Sequence, residues 1–343
     1  MLHRSNSSRK SSHVLALLAM VLCIIMLTAC GSNSKVANES KIENKASASQ
    51  AESTTPAAEE KNIESAETRV VKDELNHEIT IPTKPLKVFA PYMEDSLISL
   101  GVKPVAQWAN GDKGQEYLQD QLQDVPMANF AGGLPPSPEV IMSFEPDLII
   151  LHTSHYAENG VYENYSKIAP TYVFSNAAGD LKNSIMKLGV LLGKADEAEQ
   201  ALQAYQQKIE EAKAELAPVI EGKNAALINF NGKGMYLIGG NYFGGYVLSH
   251  ELGIGKSKLV ETENSADVSL EIVPEIDADY IFTINYAGTG TTFMKELTES
   301  PIWKMLPAYK DGHVYEVSDK YWTGSGLIAY GKIIDDVVAF LVP

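Results

Sequence analysis

The run KADEAEQALQAYQQKIEEAKAELA, Lys194 to Ala217, carries apolar side chains at Ala198, Ala201, Leu202, Tyr205, Ile209, Ala212 and Leu216. Those positions step by one, three or four residues and draw a single apolar stripe down one face of an α-helix. The residues between them are Gln, Glu, Lys and Ala, all strong helix formers. Gly193 closes the segment before it, Asp196 and Glu197 suit the positive N-terminal end, and Pro218 marks the expected stop. A helix over these residues is a rod of about 35 Å. It stands near the middle of the patterned part of the chain, with βα-patterned sequence on each side. It therefore reads as a rigid strut between two lobes.

Towards the N-terminus, Thr68–Lys72 and Glu78–Ile81 pattern as a β-hairpin around Glu74–Asn76. Strand-like Lys87–Ala90, helical Met93–Leu100 and strand-like Pro104–Trp108 follow. Ser137 with Pro138 and Glu139 opens a further helix. Asp147–His152 and Thr171–Phe174 are strands, with helical Tyr165–Ala169 between them. Beyond the strut the same grammar resumes, with strands at Asn224–Phe230, Gly234–Ile238, Asp279–Tyr286 and His313–Ser318. Helices are expected at Tyr242–Leu252 and Leu327–Leu341. The fold class is α/β, with two βα lobes of mostly parallel, helix-covered sheet joined by one long helix. The expected divisions are an N-terminal lobe over 68–178, a helical linker over 179–218 and a C-terminal lobe over 219–343. One internal echo relates the lobes: Ser137, Glu139, Asp147 and Ile149 fall at the same offsets as Ser269, Glu271, Asp279 and Ile281.

At the other end, Arg4, Arg9 and Lys10 precede an apolar run from Val14 to Leu27, too short and too early for a convincing membrane span. The run ends in Leu27-Thr-Ala-Cys30-Gly31, which resembles a bacterial lipoprotein signal; the resemblance implies a signal peptide over 1–29 and a diacylated Cys30. Residues 30–67 are rich in Ser, Ala, Asn, Glu and Lys and read as a flexible tether that holds the folded part off the membrane. Cys23 and Cys30 are the only cysteines, so an exported, processed chain relies on its cores and not on a disulfide.

The formal charge of −16 becomes three units more negative when residues 1–29, which hold three cations and no acid, are removed. That surface excludes nucleic-acid binding through a basic patch. Enzyme signatures fail one by one. The glycine that would open a P-loop ending in Gly253-Ile-Gly-Lys-Ser257 is His250. Thr323-Gly-Ser-Gly326 is no nucleophile elbow, and no HExxH is present. His152 and His155 form the only close histidine pair, too few for zinc by themselves.

Four stretches together resemble the iron–siderophore substrate-binding lipoproteins of ABC importers, a family that also holds vitamin B12 and haem binders. They are Met93–Val105, Pro136–Ile141 with Glu145–Ile150, Tyr165–Pro170 and Ile333–Val338. The resemblance spans residues 68–343 and implies a ligand cleft between two lobes with little hinge motion. It implies no catalysis, iron carried within the ligand with no cofactor of the protein's own, and a lipid-anchored monomer on the extracytoplasmic face of the cell membrane. It also implies docking on the permease through one surface acid per lobe, at Glu94 or Asp95 and at Glu251. For the cleft, aromatics and polar groups in loops after strands are expected, where open α/β sheets bind ligands. Those are Trp108, Lys113, Lys233, Tyr236, Asn241, Tyr242, Tyr286, Tyr321 and Trp322, with Trp108 and Trp322 foremost. After the leader Arg69 is the sole arginine, so a trianionic catecholate lacks guanidinium partners and a ferric hydroxamate is favoured. The alternatives are a catecholate, citrate, haem (through His152 or His155), a corrinoid or a divalent metal, and, outside transport, an adhesion or sensor lipoprotein.

Overall fold

The computed structural model describes residues 67–343. The expected signal peptide, Cys30 and all of the expected tether but Glu67 lie outside the described residues. The first elements are β1 (Thr68–Lys72) and β2 (Glu78–Pro82), an antiparallel hairpin. In its turn Asp73 Oδ1 accepts from the backbone N–H groups of Leu75 and His77, at 3.0 and 2.8 Å, and Asn76 adopts a left-handed φ of 74°.

The N-terminal lobe continues with β3 (Val88–Phe89), α1 (Glu94–Ser99), β4 (Gln107–Ala109), α2 (Gln119–Leu122) and β5 (Met127–Asn129). Then come α3 (Pro138–Ser143), β6 (Leu148–Leu151), α4 (Val161–Tyr165) and β7 (Thr171–Val173). Strands β3, β6 and β7 form a parallel sheet in that order, β4 and β5 a parallel pair, and a parallel bridge from Phe89 to Ala106 joins them. Every residue of β6, LIIL, is buried, as a strand covered on both faces requires. Ser137 does precede α3, but its hydroxyl makes no capping bond.

α5 (Leu181–Leu192) ends at Gly193, which takes a left-handed φ of 66° and turns the chain into α6 (Ala195–Ile220). The apolar stripe is realised: Ala198, Tyr205, Ile209, Ala212 and Leu216 are buried, and Ala201 and Leu202 pack against the same core. Pro218 does not end the helix, which runs on to Ile220. Proline this close to a helix end removes only one N–H, the partner of the Ala214 carbonyl.

The C-terminal lobe holds β8 (Asn224–Asn231), β9 (Gly234–Ile238), α7 (Phe243–Tyr246), β10 (Gly255–Lys256), β11 (Ser265–Val268) and β12 (Tyr280–Asn285). It closes with α8 (Thr291–Glu299), α9 (Pro301–Lys304), α10 (Pro307–Lys310), β13 (Val314–Val317), α11 (Asp319–Trp322) and α12 (Leu327–Leu341). The sheet order is β11-β9-β8-β12-β13; β8, β12 and β13 are parallel, whereas β9 pairs antiparallel with both β8 and β11. The helix expected over Tyr242–Leu252 is α7 followed by a π-helical turn, Val247–Glu251.

The internal echo has a physical counterpart. Asp147, just before β6, accepts from the backbone N–H groups of Leu86 and Lys87 at 2.8 and 2.9 Å, ahead of its parallel neighbour β3. Asp279, just before β12, accepts from Asn224 N–H at 2.9 Å, at the start of its parallel neighbour β8. One carboxylate per lobe pins the start of the neighbouring parallel strand. One apolar core spans both lobes, running from Ile81 and Leu97 in the N-terminal lobe, past Ile185, Ile209 and Leu216, to Phe282, Trp322 and Ile334 in the C-terminal lobe.

Candidate functional site

The two lobes face each other across a cleft of about 880 Å³. Its N-terminal wall comes from β4 and the segments after β3, β4 and β6: Tyr92, Trp108, Lys113, Gln115, Glu116, Tyr117 and His152. Its C-terminal wall comes from the segments around α7, β12 and α11: Phe243, Asn285, Tyr286, Asp319, Lys320 and Ser325.

Tyr92 is the hub of the N-terminal wall. Its backbone takes a left-handed φ of 66°, which swings the ring out of the β3-to-α1 connection. Its ring centroid lies 4.9 Å from Trp108, 4.6 Å from His152, 5.5 Å from Phe130 and 5.4 Å from Tyr156. The Tyr156 hydroxyl donates to the Tyr92 hydroxyl at 3.0 Å, and burial holds the Tyr92 phenol well above the ordinary range. Burial likewise pushes the His152 imidazole down to about 4, so it is neutral at physiological pH. Trp108 Nε1 and His152 Nδ1 are buried without a hydrogen-bond partner among the described residues. These packed rings form an aromatic plate that itself carries no charge.

Charges sit at the rim and nearly cancel. Lys320 of α11 reaches across the cleft to Glu116, 2.8 Å apart, and Asp319 Oδ2 accepts from the Ala287 N–H at 2.7 Å. Among the described residues Lys113 is the one cleft-lining cation outside an ion pair.

Behind the plate, Glu94 and Asp95 are fully buried. Glu94 accepts from Trp108 N–H at 2.5 Å and from Gln115 Nε2 at 3.2 Å. Asp95 accepts from the backbone N–H groups of Ile328 and Ala329, at 3.0 and 2.9 Å, and from the Tyr117 hydroxyl at 3.0 Å. Burial outweighs these donors and pushes Glu94 up to about 7 and Asp95 up to about 6. The expectation of a surface docking acid at either position is corrected, because α1 turns Glu94 inward against Trp108 and Gln115 and Asp95 inward against α12. Glu251 is also largely buried, its side chain 7 % exposed and 3.9 Å from Lys182 Nζ.

Of the nine expected cleft residues, Trp108, Lys113 and Tyr286 line it. Trp322 does not. Its side chain is wholly buried, stacked on Phe282 at 5.1 Å, and its Nε1 donates to Asp336 at 2.8 Å. Tyr321 turns the same way, its hydroxyl donating to Asp336 at 2.8 Å. Lys233 sits exposed in the β8–β9 turn, and Asn241 Nδ2 donates to Asn264 Oδ1 at 2.6 Å. Tyr236 and Tyr242 pack against the core and are not part of the lining. The glycine-rich turn that suggested them is filled by the protein itself: a Cβ at Gly239 would overlap the Glu263 carbonyl, and one at Gly244 would overlap the Trp322 ring.

His155 packs on Tyr156 at 5.7 Å and lies 3.6 Å from Glu158, its side chain 75 % exposed, whereas His152 Nδ1 is buried. Among the described residues no three His, Cys, Asp or Glu side chains gather as a metal site. Tyr92, Phe243 and Lys320 line the cleft without having been expected there. Tyr92 follows a strand-like run, as Trp108 does, and that placement is the one signal that pointed to it.

Comparison with known proteins agrees with this geometry. The probable siderophore-binding lipoprotein YfiY of Bacillus subtilis (strain 168) is 25 % identical over 96 % of this chain and 98 % of its own length. The iron(3+)-hydroxamate-binding protein FhuD of the same organism is 30 % identical over 87 % of each chain. The crystal structure of Staphylococcus aureus SirA complexed with staphyloferrin B superposes with a TM-score of 0.69 at 27 % identity, over 80 % of this chain and 98 % of the other. The family model described as periplasmic binding protein matches residues 95–321, well over half of the sequence, and the chain belongs to that family.

Proposed function

We propose that this protein is the extracytoplasmic receptor of an ABC importer, capturing a ferric siderophore and handing it to the permease. The cleft carries the proposal. It is large, preformed and aromatic, and its volume falls within the ~300–1,000 Å³ typical of small-molecule sites. The relatives named above as siderophore-binding and iron(3+)-hydroxamate-binding support the ligand class. Iron arrives wrapped by its chelator, so the protein supplies shape, ring contact and a few hydrogen bonds, and no bond is made or broken. Lipid attachment at Cys30 keeps the receptor at the membrane beside its permease, in keeping with relatives named as lipoproteins.

Charge selects within the class. The lining holds two lysines, Lys113 and Lys320, against two acids, Glu116 and Asp319. A trianionic catecholate would meet no net positive potential there, whereas a neutral or cationic ferric hydroxamate needs none. Titration of intrinsic tryptophan fluorescence with a ferric hydroxamate, a ferric catecholate, ferric citrate, haemin, a corrinoid and zinc tests both levels. Saturable submicromolar quenching by the hydroxamate supports them. A preference for the catecholate or citrate refutes the charge argument and leaves the receptor; silence across the panel refutes the receptor.

A further inference from the structure

α12 begins without a cap from its own neighbourhood. Gly326 stands at the N-cap position and has no side chain, and no residue of the C-terminal lobe bonds the first free amides of the helix. Those amides, Ile328 N–H and Ala329 N–H, instead donate to Asp95 of α1, in the other lobe. The approach is built in from both sides. Gly326 takes a φ of 141°, a region closed to most side chains, and any Cβ there would overlap the Asp95 carboxyl. On the Asp95 side, Tyr117 completes the set with its hydroxyl, and the carboxylate is fully buried.

The contact sits between the two walls of the cleft, and Asp95, Ile328 and Ala329 are not part of its lining. Thr323, Gly324 and Ser325, immediately before Gly326, line one wall; Gln115 and Tyr117 line the other. The neighbouring Glu94 ties Trp108 and Gln115 to the same turn of α1. One helical turn thus holds the aromatic wall through Glu94 and the opposite wall through Asp95. From this geometry we infer that Asp95 is a positioning residue, an inter-lobe helix cap that fixes the separation of the cleft walls and thereby sets ligand affinity without contacting the ligand. The link from wall separation to affinity rests on the receptor function proposed above; the link from Asp95 to the walls does not.

Hydrogen exchange on the ligand-free full chain tests the second link directly. First-turn amides of a helix are normally open to exchange, because no intrahelical acceptor exists for them. Here Ile328 and Ala329 should be protected like core amides; rapid exchange at both overturns the latch with no variant needed. Asp95→Asn should release these amides together with the segments 115–117 and 323–325. Release confined to Ile328 and Ala329 shows a local cap and overturns the positioning role. Asp147→Asn is the matched control, since Asp147 bonds backbone amides within one lobe only.

Affinity supplies the other readout. Asp95→Asn should weaken binding of the chelate that the wild-type chain takes best by about 2- to 30-fold, the range of a lost helix cap. Asp147→Asn should leave that affinity unchanged at a comparable loss of melting temperature. Equal affinities for the two variants overturn the inference. A wild-type chain that binds no chelate overturns the receptor function instead, and the exchange pattern still decides the latch.

Discussion

Glu94 and Asp95 are adjacent acids with no cation bonded to either among the described residues, and both are completely buried. In a sequence they read as solvated charges on an exposed turn, because burial of a carboxylate is decided by what packs over it and not by its neighbours in the chain. Here the cover comes from Trp108 and α12. Titration follows from the burial. Unfolded carboxylates bind their protons near pH ~4, whereas folded Glu94 and Asp95 hold theirs up to about 7 and about 6. Between those limits the folded chain binds more protons than the unfolded one, so these two groups withdraw stability as pH rises from about 4 through about 7. Between pH 5.5 and 8 the wild-type chain should therefore lose stability relative to Glu94→Gln, which cannot titrate. Urea midpoints of the two chains measured across that range check this; parallel curves would show that Glu94 does not titrate there.

Elements with a long period were legible in the sequence, and those defined by pairing alone were not. α12 occupies the expected residues, Leu327–Leu341, and β9 the expected Gly234–Ile238, because each has an apolar pattern between clear stops. The strands β5, β10 and β11 have two to four residues and no alternation of their own, so only their partners create them. Trp322 shows the same limit for the site. A ring in a loop before the last helix can face a cleft or a core, and the sequence holds the answer only in Gly244, far away, whose missing side chain makes room for it. α11 consequently docks on α7 and β12 through this ring. Trp322→Ala should cost about 3–5 kcal/mol in denaturant unfolding and leave chelate affinity intact, while Trp108→Ala should do the reverse and weaken binding by about tenfold or more. Loss of affinity in the first with stability retained would return Trp322 to the cleft.

At the scale of the whole molecule the two lobes are not independent bodies. The same apolar core passes from Leu97 through Ile209 to Ile334, and the Glu116–Lys320 pair and the Asp95 cap add polar ties across the cleft. Cooperative units follow continuous cores, so unfolding should be one transition, with tryptophan fluorescence and far-ultraviolet circular dichroism coincident in urea. Two separated transitions would show lobes that open and melt separately. The same continuity explains a cleft that stands preformed.

The chain direction gives one of these ties a further meaning. Asp95 and the Ile328 N–H that donates to it are 233 residues apart, so a chain emerging from the ribosome presents the acid long before the amides that cover it. Until α12 arrives, the acidic turn stays hydrated and the strut lacks the helix that packs beside it. Assembly of this fold is therefore timed by α12: the two halves can begin apart, but they become one object only when that helix is available.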